Sequence, residues 1–339
     1  MRKLLKIIGI TLLFVAGLIA AGVSYLAMKK PAMRPPSTEI IERTPQRVAR
    51  GKYLVEHVAD CMGCHSDHDF DRFGIPVKAG TRGQGGFTFT KDFGVPGVVA
   101  AQNITSDAQT GVGNWTDGEI LRAIREGVRR DGTALFPMMP YQKFRKMSDE
   151  DARSVVAYLR TLPPVHNQVP TRKLDFPVNL FIKSAPQPLA GPVSAPDPSN
   201  HLAYGEYLVT IAGCEECHTP HDDHGQQLAG MAYAGGWEMK GPWGRVVSPN
   251  ITPDTDTYFG RATKEEFIAR VKAFESMSEA DAPVAEKGRN TIMPWLGFSG
   301  MTESDLGAIY DYMKTVKPIR NKVNPFPDAV PVKSARMPN

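Results

Sequence analysis

The chain carries one short cysteine motif twice, and the two copies use all four of its cysteines. CMGCH occupies residues 61 to 65 and CEECH residues 214 to 218. C-x-x-C-H is the attachment pattern of c-type haem. Two thiols on one helical turn reach the two vinyl groups of a porphyrin, and the next residue, His, then lies beneath the iron as its proximal ligand. A zinc site takes about four ligands from pairs close together, and a redox dithiol needs no following His. Here the pairs lie 153 residues apart and each has its own His. The spacing predicts two covalently bound haem c groups, one on Cys61, Cys64 and His65, the other on Cys214, Cys217 and His218.

The repetition extends well beyond the cysteines. GKYLVEHVADCMGCHSDHD at 51 to 69 matches GEYLVTIAGCEECHTPHDD at 205 to 223 with one residue deleted, and QNITSD at 102 to 107 matches PNITPD at 249 to 254. MPYQKFRKMSDEDARSVVAYLRTLPPVHN, from Met139, aligns without a gap to MPWLGFSGMTESDLGAIYDYMKTVKPIRN, from Met293. The chain is therefore two copies of one module.

Each copy predicts three helices. The first leads into the cysteine motif and is capped by Thr44, with Pro45 in its first turn, or by Asn200. The second starts at capping boxes, Thr116 with Glu119 and Thr263 with Glu266, ahead of apolar residues at helical spacing. The third starts at Ser148 with Asp151 and Thr302 with Asp305, shorter-acid versions of the same box. The fold class expected is all-α. Domain boundaries fall at 1–30 for an N-terminal membrane anchor or signal segment, 31–43 for a tether, 44–169 and 200–325 for the two haem domains, 170–199 for a proline-rich linker and 326–339 for a tail. Residues 163 to 199 hold nine prolines, which favours an extended, semi-rigid strap.

The sixth iron ligand decides between an electron carrier and an open catalytic site, and a duplicated module should present it at the same aligned place. Met139 and Met293 meet that condition, each followed by Pro and an aromatic residue. Met138 aligns with Ile292, which cannot ligate, and reads as packing. Met147 and Met301 also align, but each directly precedes a helix cap, where an apolar residue packs as a staple. His68 and His221 align three residues beyond the proximal histidines and read as solvated loop residues. His57, His166, His201 and His224 lack a His partner in the repeat. Asn103-Ile104-Thr105 has the form of a glycosylation sequon, yet its recurrence at Asn250-Ile251-Thr252 reads as a turn near the haem. The acidic loop ESMSEADAPVAE, 275 to 286, has no counterpart in the first copy and reads as solvated or as a dock for a basic partner.

Residues 7 to 28 carry no charge and as a helix would span roughly 30 Å, about the thickness of a bilayer's hydrocarbon core. That exceeds the apolar stretch of about 7 to 15 residues usual in a cleaved signal, so a retained anchor is expected. The net charge of +4 comes from the front of the chain. The first 30 residues hold five basic and no acidic groups, leaving 35 basic against 36 acidic groups. No basic patch interleaved with aromatics appears outside the anchor, which argues against nucleic acid as a partner. Haem c is attached on the outer face of the bacterial inner membrane, so the body is expected in the periplasm.

NIT-x-D, TGVGNWTDGE, MPYQKF-x-x-MSDED, AYLRTLPPV and the FPVN of the strap together resemble the cytochrome c subunits of membrane-bound bacterial dehydrogenases that serve alcohol, gluconate and aldehyde oxidation. The resemblance covers nearly everything after about residue 45. It implies two tandem cytochrome c-like domains, covalent haem at Cys61/Cys64 and Cys214/Cys217, and iron ligation by His65 with Met139 and by His218 with Met293. Many such subunits have three haem motifs where this chain has two, and they often show Arg where His68 and His221 stand. The function implied is electron transfer, without catalytic residues, from a periplasmic or membrane-bound dehydrogenase to quinone, another cytochrome or a terminal oxidase. A dihaem peroxidase is the alternative, and it needs two unlike haem sites. A haem-based sensor would need an additional signalling segment.

Overall fold

The computed structural model describes residues 1–222 and 225–329. His224 and residues 330–339, most of the expected tail, lie outside the described residues. A first helix, α1 (Arg2–Met28), has no buried residue and is long and apolar enough to cross a membrane. Module one follows with α2 (Pro45–Tyr53), α3 (Cys61–His65), α4 (Asp117–Glu126), α5 (Tyr141–Phe144) and α6 (Asp149–Leu159). The strap contributes α7 (Val178–Phe181). Module two repeats the pattern with α8 (His201–Ile211), α9 (Cys214–His218), α10 (Tyr258–Arg261), α11 (Lys264–Lys272), α12 (Trp295–Phe298) and α13 (Glu303–Met313).

The helix starts follow from local chemistry. Thr44 accepts the Arg47 amide at 3.3 Å with Pro45 as first helical residue, and Asn200 accepts the Ala203 amide at 3.2 Å. Thr116 with Glu119 and Thr263 with Glu266 form complete reciprocal capping boxes. Each cap contributes about 1 kcal/mol. In α6 and α13 only half of the box forms. Ser148 and Thr302 accept the Asp151 and Asp305 amides, each at 3.1 Å, but the two aspartates turn elsewhere.

Within each module the first and last helices cross at a glycine. A Cβ on Gly51 would run into the Ser154 carbonyl of α6, and a Cβ on Gly205 into the Ala308 carbonyl of α13. Only a residue without a side chain permits this approach, which brings the Cβ atoms of Tyr158 and Tyr312 against the same spot. An extra residue in module one is absorbed just beyond this crossing. Residues Leu54–Val58 widen into a π turn, with the Ala59 amide donating to the Leu54 carbonyl at 2.7 Å, whereas α8 keeps α spacing and the Ala212 amide reaches Leu208 at 2.8 Å. A single inserted residue in a helix commonly takes this form.

The all-α expectation holds for the bulk of the fold but misses two small antiparallel sheets. One joins β1 (Thr88–Phe89), β2 (Gly97–Ala100) and β3 (Lys173–Leu174) in that order; the other is the hairpin β4 (Glu238–Gly241) and β5 (Gly244–Val247). Strands of two to four residues are too short to show an alternating pattern. Because β3 lies in the strap and pairs with β2 through Gly97–Leu174 and Val98–Lys173, the strap is stitched to module one.

The modules pack directly on each other and share one apolar core, in which Leu54, Val58 and Met147 join Leu208, Val209 and Met301. Their contacts are reciprocal. Tyr53 donates its hydroxyl to Asp305 Oδ2 at 2.6 Å and accepts the Thr302 amide at 3.2 Å. Its aligned partner Tyr207 donates to Asp151 Oδ2 at 2.6 Å and accepts the Ser148 amide at 3.1 Å. Each module's first helix thus completes the cap of the other's last helix, the hallmark of a pseudo-twofold, self-complementary interface.

Most of the acidic loop is solvated as expected, with Glu275, Asp281 and Glu286 exposed, but Glu279 and the loop backbone are tied down. Glu279 pairs with Arg82 at 2.7 Å, and Arg72 donates to the carbonyls of Ala280 and Ala282 at 3.1 and 2.6 Å. Its partner is module one of the same chain.

Candidate haem-binding cavity

A continuous cavity of about 2390 Å³ runs between the two modules. Its walls include all eight residues singled out from the repeat: Cys61, Cys64, His65 and Met139, with Cys214, Cys217, His218 and Met293. The volume exceeds the roughly 300 to 1,000 Å³ of an ordinary small-molecule pocket, and it matches a chain with two attachment motifs.

The histidines are oriented alike. His65 Nδ1 lies 2.6 Å from the Gln102 carbonyl and His218 Nδ1 lies 2.8 Å from the Pro249 carbonyl. A carbonyl only accepts, so Nδ1 carries the proton in both rings and Nε2 keeps its lone pair for a metal. Burial lowers the pKa of both rings and so favours the neutral, ligating form, while the carbonyl contacts oppose the shift. Gln102 and Pro249 are the residues just before the two NIT turns, which explains why those turns recur. Asn103 accepts the Thr105 amide at 2.9 Å and donates to the Val165 carbonyl at 2.7 Å. Asn250 accepts the Thr252 amide at 2.9 Å and donates to the Ile319 carbonyl at 2.7 Å. Both amides are buried and fully engaged with backbone, so the turn serves to aim the preceding carbonyl. The sequence placed this turn near the histidine without revealing its role. The signal was its recurrence at the same place in both copies.

All four cysteines are unbridged. Burial is the largest cause raising the thiols, pushing Cys64, Cys214 and Cys217 up to about 12 and Cys61 further. Thiols so disposed are the opposite of a low-pKa redox dithiol. Cys217 adds to the shift of Cys64 and Asp60 to that of Cys217, which places the two motifs within electrostatic reach of each other. Among the described residues no group of three or more His, Cys, Asp or Glu is placed to hold a metal ion.

The methionine loops leave the methionine alike, although the Met139 amide donates to the Phe136 carbonyl and the Met293 amide to Thr291 Oγ1. The Tyr141 amide donates to the Met139 carbonyl and the Trp295 amide to the Met293 carbonyl, both at 2.8 Å. Pro140 and Pro294 then open α5 and α12. Each loop rests against the other module at or just before its motif: Lys143 of α5 reaches Glu215 at 2.9 Å and Glu216 at 3.1 Å, and the Gly297 carbonyl of α12 meets His57 Nδ1, in the π turn before CMGCH, at 2.9 Å. Met147 and Met301 are buried in the shared core at 1% exposure, as expected of residues that pack beside a cap. Met138 also borders the cavity, whereas Met139 additionally packs against the core.

His68 departs from its reading as a solvated residue. It is 4% exposed, with Nδ1 3.0 Å from the Ile75 carbonyl and its ring set edge-on to Phe87 at 5.8 Å. His221 is half-buried against Trp237 at 4.4 Å. Three residues past His65 the chain turns inward beneath an aromatic cluster of Phe70, Phe87, Phe93 and Trp243, which no local pattern announces.

A turn bearing two thiols and an adjacent His with Nε2 free, present twice around one cavity, fits covalent haem. Residues 48–163 match the cytochrome c family model, and this stretch is a cytochrome c domain. The chain is 29% identical over 241 residues to the cytochrome c subunit of alcohol dehydrogenase (quinone) from Gluconobacter oxydans, a match that covers 67% of this chain and 46% of that protein. It is 28% identical over 286 residues to the fructose dehydrogenase cytochrome subunit of Gluconobacter japonicus, covering 79% and 52%. A diheme cytochrome c-type protein of Cereibacter sphaeroides is 29% identical over 317 residues, covering 92% and 97%. The chain spans about half the length of the two dehydrogenase subunits and nearly all of the dihaem protein. The relatives are named as cytochrome components, and the chain resembles them as an electron-transfer component rather than a catalyst.

Proposed function

We propose that this protein is a membrane-anchored, periplasmic dihaem cytochrome c that carries electrons from a dehydrogenase to quinone, another cytochrome or a terminal oxidase of the respiratory chain. The reading rests above all on the placement of Cys61, Cys64, His65 and Met139 with Cys214, Cys217, His218 and Met293 around one cavity. In this reading the four thiols attach two haems, and the pairs His65/Met139 and His218/Met293 hold the irons. Bound haem supplies reversible one-electron chemistry, and His/Met ligation raises its potential. The rest falls to the chain. The Gln102 and Pro249 carbonyls fix the tautomer of the proximal rings, the apolar walls exclude water, and the reciprocal packing brings the attachment motifs together. The uncharged helix α1 is the anchor in this reading. The match to dehydrogenase subunits supports a dehydrogenase as partner.

The peroxidase alternative lacks a supporting observation, since both modules present a Met at the same aligned place, followed by the same Pro-led helical turn. Purified protein should contain two haems per chain. Met139→Ala and Met293→Ala should each convert one low-spin haem to high-spin in optical and paramagnetic resonance spectra. Unchanged spectra in either variant overturn that ligand assignment.

A further inference from the structure

The strap meets the far end of α1. Lys183 Nζ donates to the carbonyls of Leu26 and Ala27 at 3.3 and 2.5 Å, satisfying acceptors that a helix C-terminus leaves open. Lys29 reaches back to Ser184 at 3.5 Å, and α7 packs beside α1. The strap here has two unlike sides. Val178 and Ile182 line the cavity, with Ile182 buried. Phe176 and Phe181 point away from it and are 71% and 55% exposed. Burial of one Phe side chain is worth about 1.5 to 3 kcal/mol, which this pair forgoes in water. Phe181 belongs to α7, which packs beside the 27-residue apolar helix, and Phe176 lies just before α7; the exposed cations Lys29 and Lys30 follow α1, and exposed Lys173 precedes Phe176 by three residues. Exposed Phe side chains beside Lys at the end of an apolar helix suit an interfacial segment, whose apolar face sinks into the headgroup–acyl boundary while its cations meet anionic lipid.

We propose that residues 176–183 form a second membrane contact, with Phe176 and Phe181 entering the boundary of the bilayer beside α1 and the neighbouring lysines facing lipid phosphate. This rests on the reading of α1 as a membrane span. The contact lays the module-one wall of the cavity, through Val178 and Ile182, against the bilayer and turns module two toward the aqueous side. The strap becomes a fixed spacer between cavity and membrane.

Full-length haem-loaded protein in vesicles of phosphatidylcholine and phosphatidylglycerol, doped with a lipid bearing a diazirine high on its acyl chain, tests this after photolysis and peptide mapping. Label is expected on α1 and on peptides covering 173–185, and at background on module-two peptides such as the one holding exposed Leu202. In the double variant Phe176→Ser and Phe181→Ser, strap labelling should fall several-fold while α1 labelling and the haem spectrum persist. Label on α1 with the strap at background overturns the proposal and leaves the anchor standing. Label on neither overturns the anchor and, with it, this contact.

Discussion

Module one and module two are built on the same frame, and the difference between them with the clearest electrostatic consequence lies at one point. The glycine crossing, the carbonyl on the proximal His, the Met-Pro loop and the Tyr that caps the opposite module all recur with nearly identical distances. The approach to the first cysteine does not. Module two uses Gly213, at φ 67°, where a left-handed residue is needed. Module one places Asp60 there, at φ 44° and ψ 47°, a conformation that costs a non-glycine residue of order 1 kcal/mol. Burial pushes the Asp60 carboxyl up to about 7, helped by Glu56 and Glu279 and opposed by the Gly63 amide and Arg82. A duplicated scaffold has kept its geometry and diverged in electrostatics beside one of its two motifs.

The largest effect should come from the shared frame. Gly51→Val and Gly205→Val each drive a side chain into the carbonyl of the crossing helix, and each should cost about 3 kcal/mol or more. Thermal unfolding and haem content should fall to a similar degree in both, and a marked inequality would break the symmetry of the frame. Tyr53→Phe and Tyr207→Phe come next. Each removes a hydroxyl shared by an aspartate and a cap amide, a loss of about 1.5 to 3 kcal/mol for a bond to a charged group. Measured in denaturant, the two should be equal, and because Arg50 lies 5.5 Å over the Tyr53 ring and pairs with Asp151, the acceptor of Tyr207, their losses should couple rather than add.

Asp60 sharpens the contrast. In the unfolded chain an Asp ionises near pH 3.9, whereas in the fold it holds its proton to about 7. Its contribution to stability is therefore full below about pH 4 and is lost as pH rises through about 7. Adding an electron nearby favours the protonated form, so one of the two midpoint potentials should fall with rising pH around 7 and the other stay flatter. Asp60→Asn should remove the difference in a spectroelectrochemical titration; an unchanged pH slope counts against Asp60 as its source. The smallest effect is expected for Glu279→Gln. The Arg82–Glu279 pair at 2.7 Å is 41% and 33% exposed at its two side chains, and its loss should cost less than about 1 kcal/mol, mainly loosening the acidic loop in hydrogen exchange.

Much of the site was legible because duplication acts as a filter on position. The same filter, applied to GKYLV and GEYLV, would have paired Tyr53 with Tyr207, and the matched caps paired Asp151 with Asp305, but it could not say that the partners are exchanged between modules. Tyr53 and Asp305 are 252 residues apart. Likewise Glu279 looks like its exposed neighbours in 275–286 until Arg82 is brought to it and Arg72 to the adjoining carbonyls.

By itself the sequence determined the helix starts, the twofold repeat, the attachment motifs and the matched methionines. Caps, turns and motif spacings join groups a few residues apart, and their chemistry is complete within a short segment. The tertiary structure alone decided which carbonyl meets His65 and which His218, that His68 is buried, that the strap is stitched to β2, and that the two modules cap one another. Those outcomes depend on contacts whose free energy appears only after the helices have packed, when distant polar groups lose water and must find one another.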